Sequence, residues 1–183
     1  MKWTNLKSEL KSISINGLYE NHSAIEIINL LKLTKEQPAV LVTHSVKARI
    51  LKHLESRDVE LGGLLLGRVV SRVNLNKGIV AIAVDDIVES RDYSSTSVSL
   101  SMDSSVWNMA TEKSSKTNFV VGWYHSHPNL GAFFSSTDRT TQKNFFNHPY
   151  SLGLVIDPIR KEQKIFIGRE SIEVAPSHFL YGV

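Results

Sequence analysis

Residues 125–138 read HSHPNLGAFFSSTD, and this stretch limits the possible folds more than any other. Two histidines one residue apart share a face only if the backbone there is extended, because side chains alternate along a strand. Pro128 ends that strand, since proline has no N–H for the ladder. Ser135 then reads as the opening of a helix, with Asp138 in its first turn. The chain must therefore present a strand that ends in a same-face pair, His125 and His127. Within seven residues it must cross to a helix that carries an acidic side chain back toward that pair.

The rest of the chain supplies elements for such a frame. AVLV (39–42) reads as a short buried strand. Thr43 and Ser45 are candidate N-caps for a helix with Val46, Ile50, Leu51 and Leu54 on one face. A long apolar run from Leu61 to Val70 contains Gly62, Gly63 and Gly67. The stretch 74–78 (NLNKG) is a turn signal, and Ile79 to Val84 returns, so 61–84 predicts a hairpin. Residues 89–101 are polar and read as a loop entering a strand. A helix is predicted over 103–113 with Val106, Met109 and Ala110 inward. Strands follow over 119–123, 152–156 and 164–167, the last two joined at Asp157-Pro158. The Ser135 helix is predicted to run to about His148, stopped by Pro149. This tally gives an α/β layered domain. Residues 1–37 read as an extension with a short helix over 24–33, docking on or capping the domain formed by 38–183.

Composition removes several function classes. The 183 residues suffice for one domain with a proper core. There is no cysteine, which excludes thiolate catalysis and thiolate zinc fingers. The net charge of +3 is small and the basic residues are scattered, which argues against a nucleic-acid surface. The N-terminus lacks the apolar stretch of a signal peptide, and no apolar run reaches the roughly 18 residues of a membrane span. These features predict a soluble, cytoplasmic protein. Asn21-His22-Ser23 is a glycosylation sequon only by pattern.

Two imidazoles, a carboxylate and a hydroxyl at this spacing are the parts of a catalytic zinc site with an open fourth position. Ser135-x-x-Asp138 is equally a helix capping box, although Glu or Gln is the usual partner there. Other His-x-His enzymes fit poorly. A cupin needs a glutamate soon after the second histidine, and 128–137 has none. A metallo-β-lactamase needs His-x-His-x-Asp-His, but 129 is Asn and 130 is Leu. Amidohydrolases use a barrel of about 250 residues. Glu60, just before the apolar glycine-rich run, is either an ordinary strand-start residue or a partner of this cluster, since the glycines permit close backbone approach. Trp123 reads as core or groove wall, and His22, His44, His53, His148 and His178 as structural.

Glu60 together with His125-x-His127-x7-Ser135-x2-Asp138 resembles the JAMM (MPN-plus) zinc metalloproteases. The flanking segments VELGGLLLG (59–67), VVGWYHSHP (120–128) and LGLVIDP (152–158) match as well, and the resemblance covers about residues 39–170. It implies a single MPN domain, a curved mixed β-sheet flanked by helices. It implies one Zn2+ held by His125, His127 and Asp138, Glu60 as general base, and Ser135 as hydrogen-bond donor to the oxyanion. The implied reaction is cleavage of a peptide or isopeptide bond after the C-terminal tail of a ubiquitin-like protein. Only a few residues separate His148 from Leu152, which resembles compact prokaryotic-type members without a long insertion. Two other readings share these residues: a peptidase acting on a sulfur-carrier protein of ubiquitin fold, and a non-catalytic MPN scaffold that binds a partner protein. Family members can require a partner subunit, for which 1–37 is the expected docking element. The loop at 89–101 is expected to flank the groove for the substrate tail.

Overall fold

Alternation of apolar side chains on two long strands builds the frame that carries the histidines. The computed structural model describes residues 10–18, 32, 37–56, 59–90 and 104–181. The helix read over 24–33 lies outside them apart from Lys32, as does the 89–101 loop beyond Ser90. Strand β1 (Ala39–Val42) is buried at every position. Helix α1 (His44–Leu54) follows, and Thr43 is its cap: the Thr43 hydroxyl accepts from the Val46 N–H at 3.3 Å. Val46, Ile50 and Leu54 are buried, and each side chain removed from water contributes roughly 2 kcal/mol.

The hairpin is longer than its sequence suggests. Strands β2 (Gly62–Asn74) and β3 (Lys77–Glu89) flank a turn in which the Asn74 side chain accepts from the Asn76 N–H at 3.0 Å. Asp85 and Asp86 look like a strand end, but cations hold them within β3. Arg68 donates to Asp85 at 2.6 and 3.0 Å, Lys113 reaches Asp86 at 2.8 Å, and Arg49 also pairs with Asp86. At Gly67 the β2–β3 register shifts. A Cβ there would lie 1.9 Å from the Ala83 carbonyl oxygen, so the strands can approach only if this residue is glycine.

Helix α2 (Ser104–Lys113) buries Val106 and Ala110. Strand β4 (Phe119–Ser126) runs past Trp123 to include His125. Helix α3 (Ser136–Phe145) ends three residues before His148, earlier than predicted. The reason is packing. Phe146 leaves the helix at φ −121° and buries its ring against Trp107 and Trp123. Strands β5 (Leu152–Asp157), β6 (Glu162–Ile167), β7 (Ile172–Glu173) and β8 (Phe179–Tyr181) complete one sheet. Its order is β7-β6-β5-β4-β2-β3-β1-β8. β4 pairs parallel with β5, and β1 parallel with β3 and β8, while the other neighbours are antiparallel. The mixed sheet with flanking helices is the predicted class. The last dozen residues, which the motif does not reach, add β7 and the edge strand β8. Among the described residues no helix is long and apolar enough to cross a membrane.

The period of two sorts the core into two layers. Leu65, Val69 and Tyr124 face the α1 side, where they meet Ile50 and Leu54. Leu64, Leu66, Trp123 and Val155 face the other side, with Val106, Phe134 and Phe146. Ile13 bridges to Val70, and Ile13 and Ile15 pack on Leu41, Val80 and Ala83. The described part of the N-terminal segment therefore covers a patch of the sheet toward the hairpin end of β2.

Two polar ties position the end of β4. His53 on α1 and the buried Tyr124 meet at 3.0 Å between Nδ1 and Oη. Burial pushes the His53 imidazole below its ordinary pKa, against the opposing effects of the Glu89 charge and a hydrogen bond to the Ser90 backbone. Burial also pushes the Tyr124 hydroxyl up, with Glu89 adding to it. The second tie is Asp157, fully buried at the end of β5. It accepts from the N–H groups of Asn129 (3.1 Å), Gly131 (2.7 Å), Ile159 (3.0 Å) and Arg160 (3.0 Å). One carboxylate thus anchors both its own turn and the loop between His127 and Ser135. Gly131, at φ 92°, takes a conformation that disfavours other residues.

Asp157→Ala orphans these donors at about 1–3 kcal/mol for each that stays buried. We expect a stability loss of about 3 kcal/mol or more, read from the urea midpoint. Because the folded His53 pKa is depressed, the unfolded chain binds the proton more readily. The His53 contribution to stability should be complete above about pH 6.5, the unfolded value, and be lost as pH drops below it; His127, whose pKa is raised in the folded chain, contributes in the opposite sense. The urea midpoint of the wild type relative to that of His53→Gln, measured from about pH 7.5 to about pH 5.5, should show the His53 decline, because the variant keeps every other titrating group.

Candidate metal centre

The site forms where β2 and β4 run antiparallel past each other. Gly62 pairs with His125, and a Cβ at 62 would lie 2.7 Å from the Tyr124 carbonyl oxygen and 3.3 Å from the His125 Cβ. Glycine lets the two backbones close there. Beyond the regular ladder, the Ser126 N–H donates to the Leu61 carbonyl at 2.8 Å, and the Ser126 hydroxyl accepts from the Leu61 N–H at 2.9 Å. Carried one residue further, this register sets Glu60 opposite His127. His127 lies just past β4, and its N–H donates to the Ile156 carbonyl at 3.0 Å, which extends the parallel pairing with β5.

Helix α3 brings in the third side chain by its own cap. Ser135 is the N-cap: its hydroxyl accepts from the Asp138 N–H at 3.2 Å, and its N–H donates to Asp138 Oδ2 at 2.7 Å. The reciprocal capping box is therefore present, with Asp in the usual Glu position. The same bonds turn the Asp138 carboxylate toward β4. Its Oδ1 lies 3.3 Å from His125 Nε2 and its Oδ2 lies 3.5 Å from His127 Nε2. The two Nε2 atoms are 3.1 Å apart. All three residues are buried: His125 is 0% exposed, and His127 and Asp138 are 4% exposed.

Two imidazole nitrogens and a carboxylate at these distances need a shared cation or proton between them. Ligand atoms about 2.1 Å from one tetrahedral ion stand about 3.4 Å from each other. The observed 3.1, 3.3 and 3.5 Å lie around that value. The donor set suits a metal ion, and His125, His127 and Asp138 form the group among the described residues able to hold one. The electrostatics agree. Burial pushes the Asp138 carboxyl up, but hydrogen bonds to His125, His127 and Ser135 outweigh this and hold it well below the ordinary carboxylate range. Burial pushes His127 down, but Asp138 and the charge of Glu60 raise it. The pocket favours positive charge between these groups.

The sequence-derived set comes together here: His125, His127 and Asp138 converge, Ser135 caps the helix that carries Asp138, and Glu60 stands across from His127. The other described histidines lie elsewhere. His53 meets Tyr124, His148 stacks on Tyr150 at 5.0 Å, and His178 lies beside Ser177. Trp123 is core and is 0% exposed. Asp157 and Gln142 are two supports that motif reading misses. The DP pair at 157–158 signalled a turn but not a buried anchor, and a glutamine inside a helix carries no signal of its own.

Residues 43–165 match a protein family described as prokaryotic homologs of the JAB domain (Prok-JAB), a stretch containing all five site residues. The chain is 31% identical over 140 residues to the 26S proteasome regulatory subunit RPN11 of Candida glabrata, covering 69% of this chain and 40% of that protein. It is 32% identical over 140 residues to ubiquitin carboxyl-terminal hydrolase RPN11 of Saccharomyces cerevisiae, with the same coverage of 69% and 40%. It is 29% identical over 140 residues to COP9 signalosome complex subunit 5 of Eremothecium gossypii, covering 72% of this chain and 31% of that one. The match thus spans less than half the length of these relatives. Among solved structures, protein DSY2949 from Desulfitobacterium hafniense shares the fold, with a TM-score of 0.54 at 20% identity over 78% of this chain and 92% of that one. A family match that runs unbroken from the cap of α1 into β6, across every residue of the motif, makes this chain a member of the JAB/MPN domain family.

Proposed function

We propose that this chain is a zinc-dependent metallopeptidase that cleaves the peptide or isopeptide bond after the C-terminal tail of a ubiquitin-like protein. The observation that carries the reading is the convergence of His125 Nε2, His127 Nε2 and an Asp138 oxygen within 4.8 Å of one another, with Glu60 across from His127. His125, His127 and Asp138 would hold one Zn2+. Bound there, zinc would supply Lewis-acid polarisation of the scissile carbonyl and acidify a water to a pKa of about 7.

The chain's own groups do the remaining work. Glu60 sits at the opening of β2, half-buried, where its carboxylate takes the proton from the attacking water and returns it to the leaving amine. Ser135 uses one lone pair to cap α3, which leaves its O–H free to donate to the developing oxyanion. Cap and catalyst are then the same hydroxyl.

The substrate class has two supports. One relative bears the name ubiquitin carboxyl-terminal hydrolase. Apolar side chains are also exposed on the segments that carry the site residues: Leu130 is 60% exposed, Phe133 46% and Val59 39%. The Phe133 ring stands 5.0 Å from that of His127. Such exposed apolar side chains suit a folded protein partner whose extended tail enters along a strand edge. A regulatory partner docking through 1–37 belongs to the same reading. The described residues 10–18 of that segment lie toward the hairpin end of β2, so such a partner would act on the sheet rather than on the cluster.

Fusions of several ubiquitin-like proteins, incubated with the enzyme and read by mass, test the proposal. Cleavage should stop on chelation and return with zinc. Glu60→Gln should keep its metal while kcat falls by roughly 10²–10⁴. Ser135→Ala should lose ~10²–10³ in kcat and about 1 kcal/mol of helix stability. Full activity in Glu60→Gln, or cleavage unaffected by chelation, would refute the reading.

A further inference from the structure

Most metal-bound imidazoles are held at the right rotation by a hydrogen bond from their second ring nitrogen. His125 lacks that bond. Its Nδ1 is buried and has no hydrogen-bond partner among the described residues. Something else must orient the ring, and the structure offers one candidate. Trp123, two residues earlier on the same face of β4, stacks on His125 with centroids 4.5 Å apart and planes within 9°. The indole is fully buried, with Phe146 stacked against it at 5.7 Å and 19°.

The indole is itself held by a single polar bond. Trp123 Nε1 donates to Gln142 Oε1 at 2.7 Å, buried. Gln142 is 0% exposed and lies one turn after Asp138 on α3. Its Nε2 faces three carbonyls: Phe146 at 3.0 Å, Ser151 at 3.0 Å and Gly168 at 3.2 Å. These acceptors settle which end of the amide is which. The reversed amide would set its oxygen against three carbonyl oxygens and its NH2 against a donor-only indole. The amide cannot turn, so the indole cannot turn either. The space beside it is also filled: a Cβ at Gly153 would lie 2.2 Å from the Phe134 ring and 3.0 Å from Gln142 Oε1.

We infer that Gln142 and Trp123 are positioning residues for the metal centre. The Trp123–Gln142 bond locks the indole that sets the rotation of His125. It also ties α3 to β4 one turn from Asp138, which fixes the spacing between the two ligands those elements carry. The inference rests on the zinc reading above, and it concerns metal affinity rather than turnover.

The test measures Zn2+ affinity by competition with a chromophoric chelator, and the visible spectrum of the Co2+-loaded protein. Both are read at a temperature where circular dichroism shows each variant folded. Trp123→Phe keeps an aromatic ring beside His125 but removes the N–H together with part of the bicycle, so its loss of stability is measured alongside. Gln142→Met keeps the volume and removes both polar ends. Gln142→Met should bind zinc about 10–100-fold more weakly and shift the Co2+ bands. Trp123→Phe should shift both in the same direction, and the double variant should be no worse than Gln142→Met alone, because the two residues act through one bond. Val69→Ala, in the opposite core layer, lowers stability as a control and should leave both readings unchanged. If Gln142→Met does not fold, Trp123→Phe and its Co2+ spectrum decide the matter. Zinc affinity and Co2+ bands that stay at wild-type values in folded variants overturn the inference and leave the zinc reading standing. A wild-type chain that takes up no zinc overturns both.

Discussion

The antiparallel contact between β2 and β4 is the constraint from which the rest follows. Gly62 lies against His125, where a side chain would collide with the Tyr124 carbonyl of β4, and Gly63 pairs with Tyr124, where a side chain would collide with the Val88 carbonyl of β3 and with the Tyr124 ring. With the backbones that close, the register cannot slip. A slip of one residue would exchange the faces of Trp123, Tyr124 and His125 together, moving a buried indole and the clustered His125 imidazole into the wrong core layer. The same register places Glu60 across from His127. One stretch of pairing therefore sets the division of the core, the exit direction of the loop between His127 and Ser135 and the position of the acidic side chain at the opening of β2.

The helix that completes the cluster shows that a structural reading and a chemical reading of one motif need not compete. The Ser135 and Asp138 side chains exchange hydrogen bonds with each other's backbone, as in any capped helix. A glutamate would reach the cap with a longer and more mobile arm. Aspartate is short, so the bond from the Ser135 N–H fixes the carboxylate while its outer oxygen faces His125. The cap orients the Asp138 carboxylate, and the buried negative charge that this leaves is stabilised by the two imidazoles.

Two buried polar anchors then take up the freedom that remains. Asp157 gathers four backbone N–H groups and fixes the loop between His127 and Ser135, and Gln142 gathers three carbonyls and an indole. Each is fully buried and each binds backbone rather than solvent. An apolar residue at either place would pack as well but would leave several buried backbone groups without partners. Directional bonds of this kind hold a loop or a ring to one orientation, which dispersion alone does not do.

Much of this was legible in the chain itself. His-x-His before a proline demanded a strand end, Ser-x-x-Asp demanded a helix start, and the glycines at 62, 63 and 67 announced close backbone approach. Those signals are local: they depend on the period of two, on proline's missing donor and on the cap's unpaired N–H groups. The motif thus named His125, His127, Asp138, Ser135 and Glu60 without any structure. What stayed hidden was non-local. Nothing around Asp85 and Asp86 shows that Arg68, Arg49 and Lys113 will let a strand continue through them. Nothing around Phe145 shows that Phe146 will be drawn out of its helix between two indoles. The supports at Gln142 and Asp157 are of the same kind, because a buried polar residue is recognisable only by partners that the fold brings from distant positions. The sequence by itself determined which groups could meet a metal and the local turns that aim them. The tertiary structure alone decided what holds those groups still, because rigidity comes from bonds and packing between segments that no spacing along the chain records.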